Sequence, residues 1–271
     1  MNTLATITIL LLVGLLTAEC FTVDKNWFNE NSVVYTGENE ITKISVPMKF
    51  NSKKNDGSFD FYVFFIEAQK GLYVLKNQKV TKLFANGADV AESSNGTVYL
   101  AATDGIYTFN AEKNTAEKYG SLTDNVISIA VANGTQEIYI ITKDKVLFKV
   151  TDEGNSKVEI TEVKDAVDMV FDLFSNLYFI DSKKQVFVRS HDGIVTKVTG
   201  LPENTSVVKL FRCENYAAPI FVDDKVYVIN VDGTTEFHNT TFSISPTAIS
   251  FETCLFYLAR NKKIYKYGLC G

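Results

Sequence analysis

The chain has 271 residues, a formal net charge of −5 at pH 7 and 46% hydrophobic residues. A mildly acidic chain without a basic cluster argues against nucleic acid and against anionic membrane as partners. The hydrophobic fraction is sufficient for a sizeable core, and all-β proteins of this length commonly form one domain.

The first 20 residues have the pattern of a secretory signal peptide. Residues 7–18 are almost wholly apolar, and polar sequence follows within a few residues. This run is shorter than the roughly 20 apolar residues of a transmembrane helix, and no later stretch is long and apolar enough to be one. Cleavage is expected after Cys20 or, alternatively, after Ala18. We therefore expect a secreted, monomeric protein of extracellular fluid, in which residues 21–271 form a single domain.

A strand-like segment recurs through the chain at a nearly constant period. Each copy follows a tight polar turn and is rich in β-branched and aromatic residues. Successive copies are spaced by 34, 40, 40, 40 and 38 residues, measured between their third positions. The copies are GLYVL (71–75), GIYTF (105–109), KVLFKV (145–150), QVFVRS (185–190), KVYVIN (225–230) and KIYKYG (263–268).

This repeat predicts an all-β fold, a six-bladed β-propeller. Two further strand-like runs precede each copy and a fourth follows most of them, so the unit is four short strands in about 40 residues. Two N-terminal runs, SVVYTG (32–37) and ITKISVP (41–47), are expected to complete the last blade and close the ring. A seven-bladed ring or a pair of β-sandwiches is the remaining alternative.

The four cysteines are expected to form disulfides, because none has C-x-x-C spacing and the compartment is oxidising. Cys213 and Cys254 end equivalent inner strands of adjacent units and could pair across blades. Cys20, if retained, and Cys270 lie at the two chain ends, where a disulfide would lock the ring. Four N-glycosylation sequons are also consistent with secretion: Asn95, Asn133, Asn204 and Asn239.

Motifs for catalysis are absent from the sequence. The only histidines, His191 and His238, lie in polar, turn-like settings without a nucleophile motif nearby. No H-E-x-x-H, EF-hand, P-loop or G-x-G-x-x-G pattern occurs. We therefore expect no catalytic residues, no enzymatic activity and no cofactor.

Acidic residues are predicted to gather on one face of the propeller. Asp104, Asp181 and Asp223 fall in or beside the turn between the second and third strands, and Asp124 and Asp165 precede inner strands. Both kinds of loop open on the same face, which we call the acidic rim. These residues either serve local turn hydrogen bonds or, in an alternative interpretation, contribute to a calcium site with its six to eight oxygen ligands.

Two other residues are candidates for ligand contact. Trp27, the only tryptophan, either caps the last blade or overhangs the channel. Arg260, near the end of a second strand, could bind an acidic ligand. The segment FDLFSNLYFID (171–181) looks like a strand pair widespread in calcium-dependent lactonase and NHL-type propellers, although Ser175 replaces the usual glycine.

The chain resembles the ommochrome-binding proteins of insect haemolymph. The features that support the resemblance are the expected signal peptide, a mature length of about 250 residues, an N-terminal cysteine and runs such as GTVYLAATDGIYTFN and SNLYFIDSKKQVFVRS. The resemblance covers essentially the mature chain and implies a carrier that binds a small aromatic pigment or metabolite in the central funnel of the propeller. It identifies no individual ligand-binding residue. The alternative functions are a calcium-dependent lactonase or gluconolactonase-type hydrolase and a protein-interaction propeller.

Overall fold

The structure is a computed structural model, and it describes residues 21–47, 50, 61–211, 217–252 and 255–268. Within these residues the chain forms six sheets, each of at least four strands. Besides the strands there are three 3-10 helices, at Lys25–Trp27, Glu30–Ser32 and Asp152–Gly154. No helix in the described ranges is long and apolar enough to cross a membrane.

The sheets are the blades of a six-bladed β-propeller, as predicted. Each blade is an antiparallel meander whose first strand lies innermost, next to the central channel. Two N-terminal strands, β1 (Phe21–Val23) and β2 (Val33–Thr36), join blades from the other end of the chain.

The other strands follow in chain order, four to a blade except where an N-terminal strand completes the sheet. Blade 1 contains β3 (Ile41–Ser45), β4 (Tyr62–Glu67), β5 (Gly71–Lys76) and β6 (Lys79–Phe84); blade 2 contains β7 (Gly87–Glu92), β8 (Val98–Ala102), β9 (Gly105–Asn110) and β10 (Thr115–Lys118). Blade 3 contains β11 (Val126–Val131), β12 (Ile138–Thr142), β13 (Leu147–Thr151) and β14 (Ser156–Glu159); blade 4 contains β15 (Ala166–Phe171), β16 (Leu177–Asp181), β17 (Val186–Arg189) and β18 (Val195–Lys197). Blade 5 contains β19 (Val208–Leu210), β20 (Ala218–Val222), β21 (Lys225–Ile229) and β22 (Thr235–Phe242); blade 6 contains β23 (Ala248–Glu252), β24 (Leu255–Arg260) and β25 (Lys263–Gly268).

The N-terminal segment closes the ring in a way that the sequence predicted only in part. Strand β2, from the run SVVYTG, pairs antiparallel with β25 as the outer strand of blade 6, which confirms that prediction. The run ITKISVP was wrongly placed in the last blade, because β3 pairs with β4 and is the innermost strand of blade 1. In addition, β1 pairs in parallel with β22 on the outer edge of blade 5.

The hydrophobic core lies between neighbouring blades, as stacked twisted sheets require. Phe64 and Val74 of blade 1, for example, pack with Val90 and Leu100 of blade 2, and all four are at most 3% exposed. Blades 1 and 6 share an equivalent core, so the ring is sealed by the same apolar contacts that join the other blades. The recurring alternation in the sequence is therefore the signature of these interfaces.

Four of the inner strands contain an irregularity close to their start. In β3, β7, β11 and β15 the pairing register with the second strand shifts between the first and the third residue. A β-bulge of this kind bends the strand and redirects the side chains that follow it. The residue directly after the irregularity is polar in all four strands: Lys43, Asp89, Ser128 and Asp168.

Candidate functional site

The inner strands enclose a cavity of about 210 Å³ in the channel. Its apolar lining comes mainly from inner and second strands of several blades, among them Phe64, Phe65, Met169, Leu210 and Ile249, and also includes Phe211, directly after β19. Polar side chains share the lining with these apolar ones. The cavity therefore has the mixed character of a small-molecule site, with apolar walls and a few polar groups.

Every inner strand contributes at least one polar side chain to the channel, and we group one from each strand. Two of the six are lysines, two are aspartates and two are serines, so the set is formally neutral. We call it the channel cluster: Lys43, Asp89, Ser128, Asp168, Lys209 and Ser250.

Lys43 is the central cation of the channel cluster. Its ammonium nitrogen lies 3.1 Å from Oδ2 of Asp89 and 3.1 Å from Oδ1 of Asp168. The Asp89 side chain is only 7% exposed, and its Oδ2 also accepts hydrogen bonds from Oγ of Ser128 at 2.9 Å and from the backbone N–H of Ile129 at 3.0 Å. A buried carboxylate needs such compensation. Asp89 therefore serves as a structural anchor for Lys43.

Asp168 is more open than Asp89, with 28% of its side chain exposed. Its Oδ1 accepts hydrogen bonds from Lys43 and, at 3.3 Å, from Oγ of Ser128. Among the described residues, its Oδ2 accepts no hydrogen bond. One oxygen of this carboxylate is thus fixed by the protein, and the other remains available in a cavity-lining residue.

Lys209 supplies the second cation of the cavity wall. Its ammonium group donates a hydrogen bond to the backbone carbonyl of Thr247, at the start of blade 6. Burial lowers the pKa of Lys209, nearby Lys43 lowers it further, and Asp168 acts in the opposite direction. An ammonium group has three N–H donors, and in the described part of the chain only one of them is used.

Each aspartate of the acidic rim contacts neighbouring groups of the protein. Asp104 is exposed and accepts hydrogen bonds from Nδ2 of Asn86 at 3.1 Å and from the hydroxyl of Tyr107 at 2.9 Å. Asp124 forms an ion pair with Lys157 of its own blade.

The three remaining rim aspartates are likewise engaged locally. Asp165 pairs with Lys145 at 3.0 Å and accepts a hydrogen bond from Ser182, and these two contacts lower its pKa. Asp181 caps its own turn through the N–H groups of residues 183 and 185, and Asp223 accepts from those of residues 206 and 207 at 2.8 Å. Within the described ranges, no three His, Cys, Asp or Glu side chains are arranged to hold a metal ion.

Trp27 and Arg260 both lie outside the cavity lining. The indole of Trp27 packs on the core between blades 5 and 6, 5.7 Å from the ring of Phe256 and 4.9 Å from that of Tyr267. Arg260 donates to the carbonyl of Ser245 at 2.9 Å, and its guanidinium carbon lies 5.7 Å from the ring of Phe28. Trp27 thus packs between blades 5 and 6, and Arg260 contacts Ser245 and Phe28.

Neither histidine belongs to the cavity lining. His191 is exposed in the turn between β17 and β18. His238 lies in outer strand β22, where its Nδ1 is 3.0 Å from Oγ1 of Thr240 and burial lowers its pKa.

The predicted disulfides, glycosylation sites and signal peptide stay predictions. All four cysteines and residues 1–20 lie outside the described residues. Of the sequon asparagines, two are exposed and two are half-buried. Asn95 and Asn204 are the exposed ones, and Asn133 and Asn239 are the half-buried ones.

The sequence did not single out the channel cluster, although it contained a usable signal. In runs such as VDMVFD, one polar residue interrupts an otherwise apolar inner strand near its start. The same position of the repeat carries Lys43, Asp89 and Ser128 in other blades. A comparison of inner strands across the repeats would have found four of the six members.

At the level of sequence, no family model matches the chain and no curated protein is similar to it. Solved structures share the fold. A gluconolactonase from Xanthomonas campestris has a TM-score of 0.64 at 8% identity, over 87% of this chain and 88% of the other. A catalytically inactive virginiamycin B lyase from Staphylococcus aureus with quinupristin has a TM-score of 0.58 at 14% identity, over 88% and 96%.

A third similar structure is an auxiliary nutrient binding protein from Bacteroides thetaiotaomicron, with a TM-score of 0.60 at 10% identity, over 86% of this chain and 69% of the other. These three propellers are two enzymes and a binding protein, so the shared fold does not distinguish catalysis from binding. The resemblance to ommochrome-binding proteins stays a prediction.

Proposed function

We propose that this protein is a secreted, non-enzymatic carrier that binds a small aromatic metabolite in the propeller channel. The observation that supports this most directly is the cavity itself, which combines aromatic and aliphatic walls with the polar groups of Asp168 and Lys209. Pockets of this composition hold ligands by apolar contact and orient them by a few polar contacts. Secretion is supported by the apolar segment at residues 7–18 and by the four sequons.

The size of the cavity limits the ligand. Its volume of about 210 Å³ is below the roughly 300–1,000 Å³ of sites for drug-sized molecules. A molecule with one ring or two fused rings fits within these walls, whereas a three-ring ommochrome would extend out of the cavity. The proposed cargo is therefore a compact aromatic metabolite, or a pigment held by one end.

Isothermal titration of the purified protein with a panel of aromatic metabolites, including an ommochrome, tests this function. Thr42 is an exposed residue of the cavity lining, and Thr42→Trp would obstruct the cavity from that side. Thr115 is an exposed threonine on the outer strand of blade 2, so Thr115→Trp is the matched control. We expect binding that Thr42→Trp abolishes and Thr115→Trp preserves; no binding by any panel member, or equal binding by both variants, would contradict the proposal.

Hydrolysis of an ester or lactone is the second candidate function. It is favoured by the fold shared with a gluconolactonase and requires carboxylate and amide oxygens to converge on a calcium ion. A rise in the melting temperature with added Ca²⁺, together with lactone turnover that a chelator stops, would support this function over the carrier. If the protein binds a panel ligand but shows neither the rise in melting temperature nor the lactone turnover, the carrier function is supported over hydrolysis.

A further inference from the structure

We propose that the channel cavity recognises the head group of a free α-amino acid, with Lys209 binding its carboxylate and Asp168 binding its ammonium group. This inference rests on the proposed function and names the chemical class of the cargo. It follows from three features of the cavity: unused hydrogen-bonding capacity, a gap between opposite charges and overall neutrality.

Two residues of the cavity lining have hydrogen-bonding groups that the described part of the protein does not use. Oδ2 of Asp168 accepts no hydrogen bond from any described residue, and the ammonium group of Lys209 makes one hydrogen bond, to the carbonyl of Thr247. The other charged pair, Lys43 with Asp89, is occupied within the protein. A ligand would therefore meet one free anionic acceptor and two free cationic donors.

A gap separates these two groups. Lys209 and Asp168 come from neighbouring blades and line the same cavity, yet they form no direct ion pair in the described part of the chain. Opposite charges on one low-dielectric wall that are close but not in contact gain most from a ligand that bridges them. An α-amino acid is such a ligand, since its carboxylate and its ammonium group are attached to the same α-carbon.

Neutrality disfavours ligands with a single charge. The channel cluster contains two lysines and two aspartates, so the site has no excess charge for a simple acid or a simple amine to neutralise. A carboxylic acid bound to Lys209 would leave Oδ2 of Asp168 without a hydrogen bond beside it, and an amine bound to Asp168 would leave two N–H donors of Lys209 unused. Both arrangements leave hydrogen-bonding capacity of a partly buried charged group unused, which is unfavourable.

The apolar wall is suited to the rest of such a ligand. Leu210 lies in the inner strand of blade 5 next to Lys209, Phe211 follows that strand directly, and Ile249 lies in the inner strand of blade 6. A planar side chain would pack against these groups while the head group reaches Asp168 and Lys209. The cavity thus favours an aromatic amino acid.

Three ligands that share an indole ring test the inference by titration calorimetry: L-tryptophan, tryptamine and indole-3-propionate. We expect tryptophan to bind about tenfold or more tightly than the other two, the effect of one charge-assisted hydrogen bond. Equal binding of indole-3-propionate or tryptamine would overturn the inference and leave the proposed carrier function intact. Binding of another panel metabolite without binding of tryptophan would overturn it as well, and binding of nothing would overturn both.

Two variants separate direct contact from a general effect on the fold. Asp168→Asn should weaken tryptophan and tryptamine but not indole-3-propionate, and Lys209→Met should weaken tryptophan and indole-3-propionate but not tryptamine. The exposed residues Asp144 and Lys225 provide the controls Asp144→Asn and Lys225→Met, which should bind as the unmodified protein does. Equal weakening of all three ligands by either channel variant would show a structural role and overturn the assignment.

Discussion

The ammonium group of Lys43 lies 3.1 Å from Oδ1 of Asp168, although the two residues are 125 positions apart in the chain and belong to blades 1 and 4. In a closed ring of six blades these two are opposite one another. The side chain of Lys43 therefore spans the channel, and on its way it also contacts Asp89 of blade 2. A single cation thus connects three blades.

Lys43→Met should lower the free energy of unfolding by about 1–3 kcal/mol, the cost of depriving a buried charged group of its partner. Asp89 carries most of this cost, because its side chain is only 7% exposed and keeps its other hydrogen bonds. Urea unfolding measures the change.

The matched control for that variant is Lys113→Met. Lys113 forms an ion pair with Glu117 at 3.1 Å, but both side chains are exposed, and such pairs contribute little. A loss of stability as large in this control as in Lys43→Met would show that the channel contact is no stronger than a surface pair.

Tyr35→Phe should loosen the closure between blades 6 and 1. The hydroxyl of Tyr35 donates to Oε2 of Glu67 at 2.8 Å, while Oε1 of Glu67 accepts from the N–H groups of Glu38 and Asn39 at 2.7 Å. Glu67 is 2% exposed, so loss of one donor should cost about 1–2 kcal/mol of unfolding free energy. Thermal or urea unfolding provides the measurement.

Tyr73→Phe is the comparison for Tyr35→Phe. The ring of Tyr73 stacks on Phe65 at 5.3 Å, and its hydroxyl makes no hydrogen bond to the residues that the structure describes. Its removal should leave stability nearly unchanged. Equal effects of the two variants would assign the cost to ring packing and not to the bond with Glu67.

Gly105→Ala should be strongly destabilising. Gly105 has a φ of +125°, and a Cβ atom there would lie 2.1 Å from the carbonyl oxygen of Leu122. The backbone of the β8–β9 turn would have to shift, at an expected cost of about 2 kcal/mol or more. Gly268→Ala is the control, because its Cβ would meet no atom within 4 Å; similar melting temperatures for both variants would contradict the prediction.

His238 should make the protein less stable as the pH falls through about 6.5, the ordinary histidine pKa. Burial lowers the pKa of His238 in the folded protein, so the unfolded chain takes up this proton first. The free energy of unfolding therefore decreases with falling pH until the pH is below the folded-state pKa. The measurement is a series of unfolding curves between pH 7.5 and 5, taken at intervals on the order of half a pH unit.

His238→Gln should remove this part of the acid sensitivity, whereas His191→Gln, at an exposed position, should retain it. Parallel pH profiles for the unmodified protein and His238→Gln would show that the half-buried imidazole of His238 does not contribute.

The sequence was sufficient to predict the blades because each one repeats the same apolar pattern. Ile106 and Phe109 of the GIYTF copy are buried at the interfaces, and Tyr107 is half-buried against Phe84, with ring centroids 4.6 Å apart. The role of β3 was not predictable in the same way. Its alternation suits an inner and an outer strand equally, and only its pairing with β4 distinguishes them.

The alternation of apolar and polar residues alone could not predict the channel cluster. Lys43 and Asp168 are directed into the channel after a shift in pairing register, and that shift depends on the partner strand. Asp181 and Asp223 illustrate the opposite case. The shared rim predicted for them stays a prediction, whereas the structure shows that Asp181 accepts from backbone N–H groups of its own turn and Asp223 from those of residues 206 and 207.

A crystal structure of the protein soaked with the tightest-binding aromatic metabolite would show where in the propeller the ligand binds. We predict electron density for the ring against Phe211 and Ile249, with polar groups of the ligand within hydrogen-bond distance of Lys209 and Asp168. A ligand bound only outside the channel, with the cavity filled by water at saturating ligand concentration, would contradict the claim that the channel is the binding site.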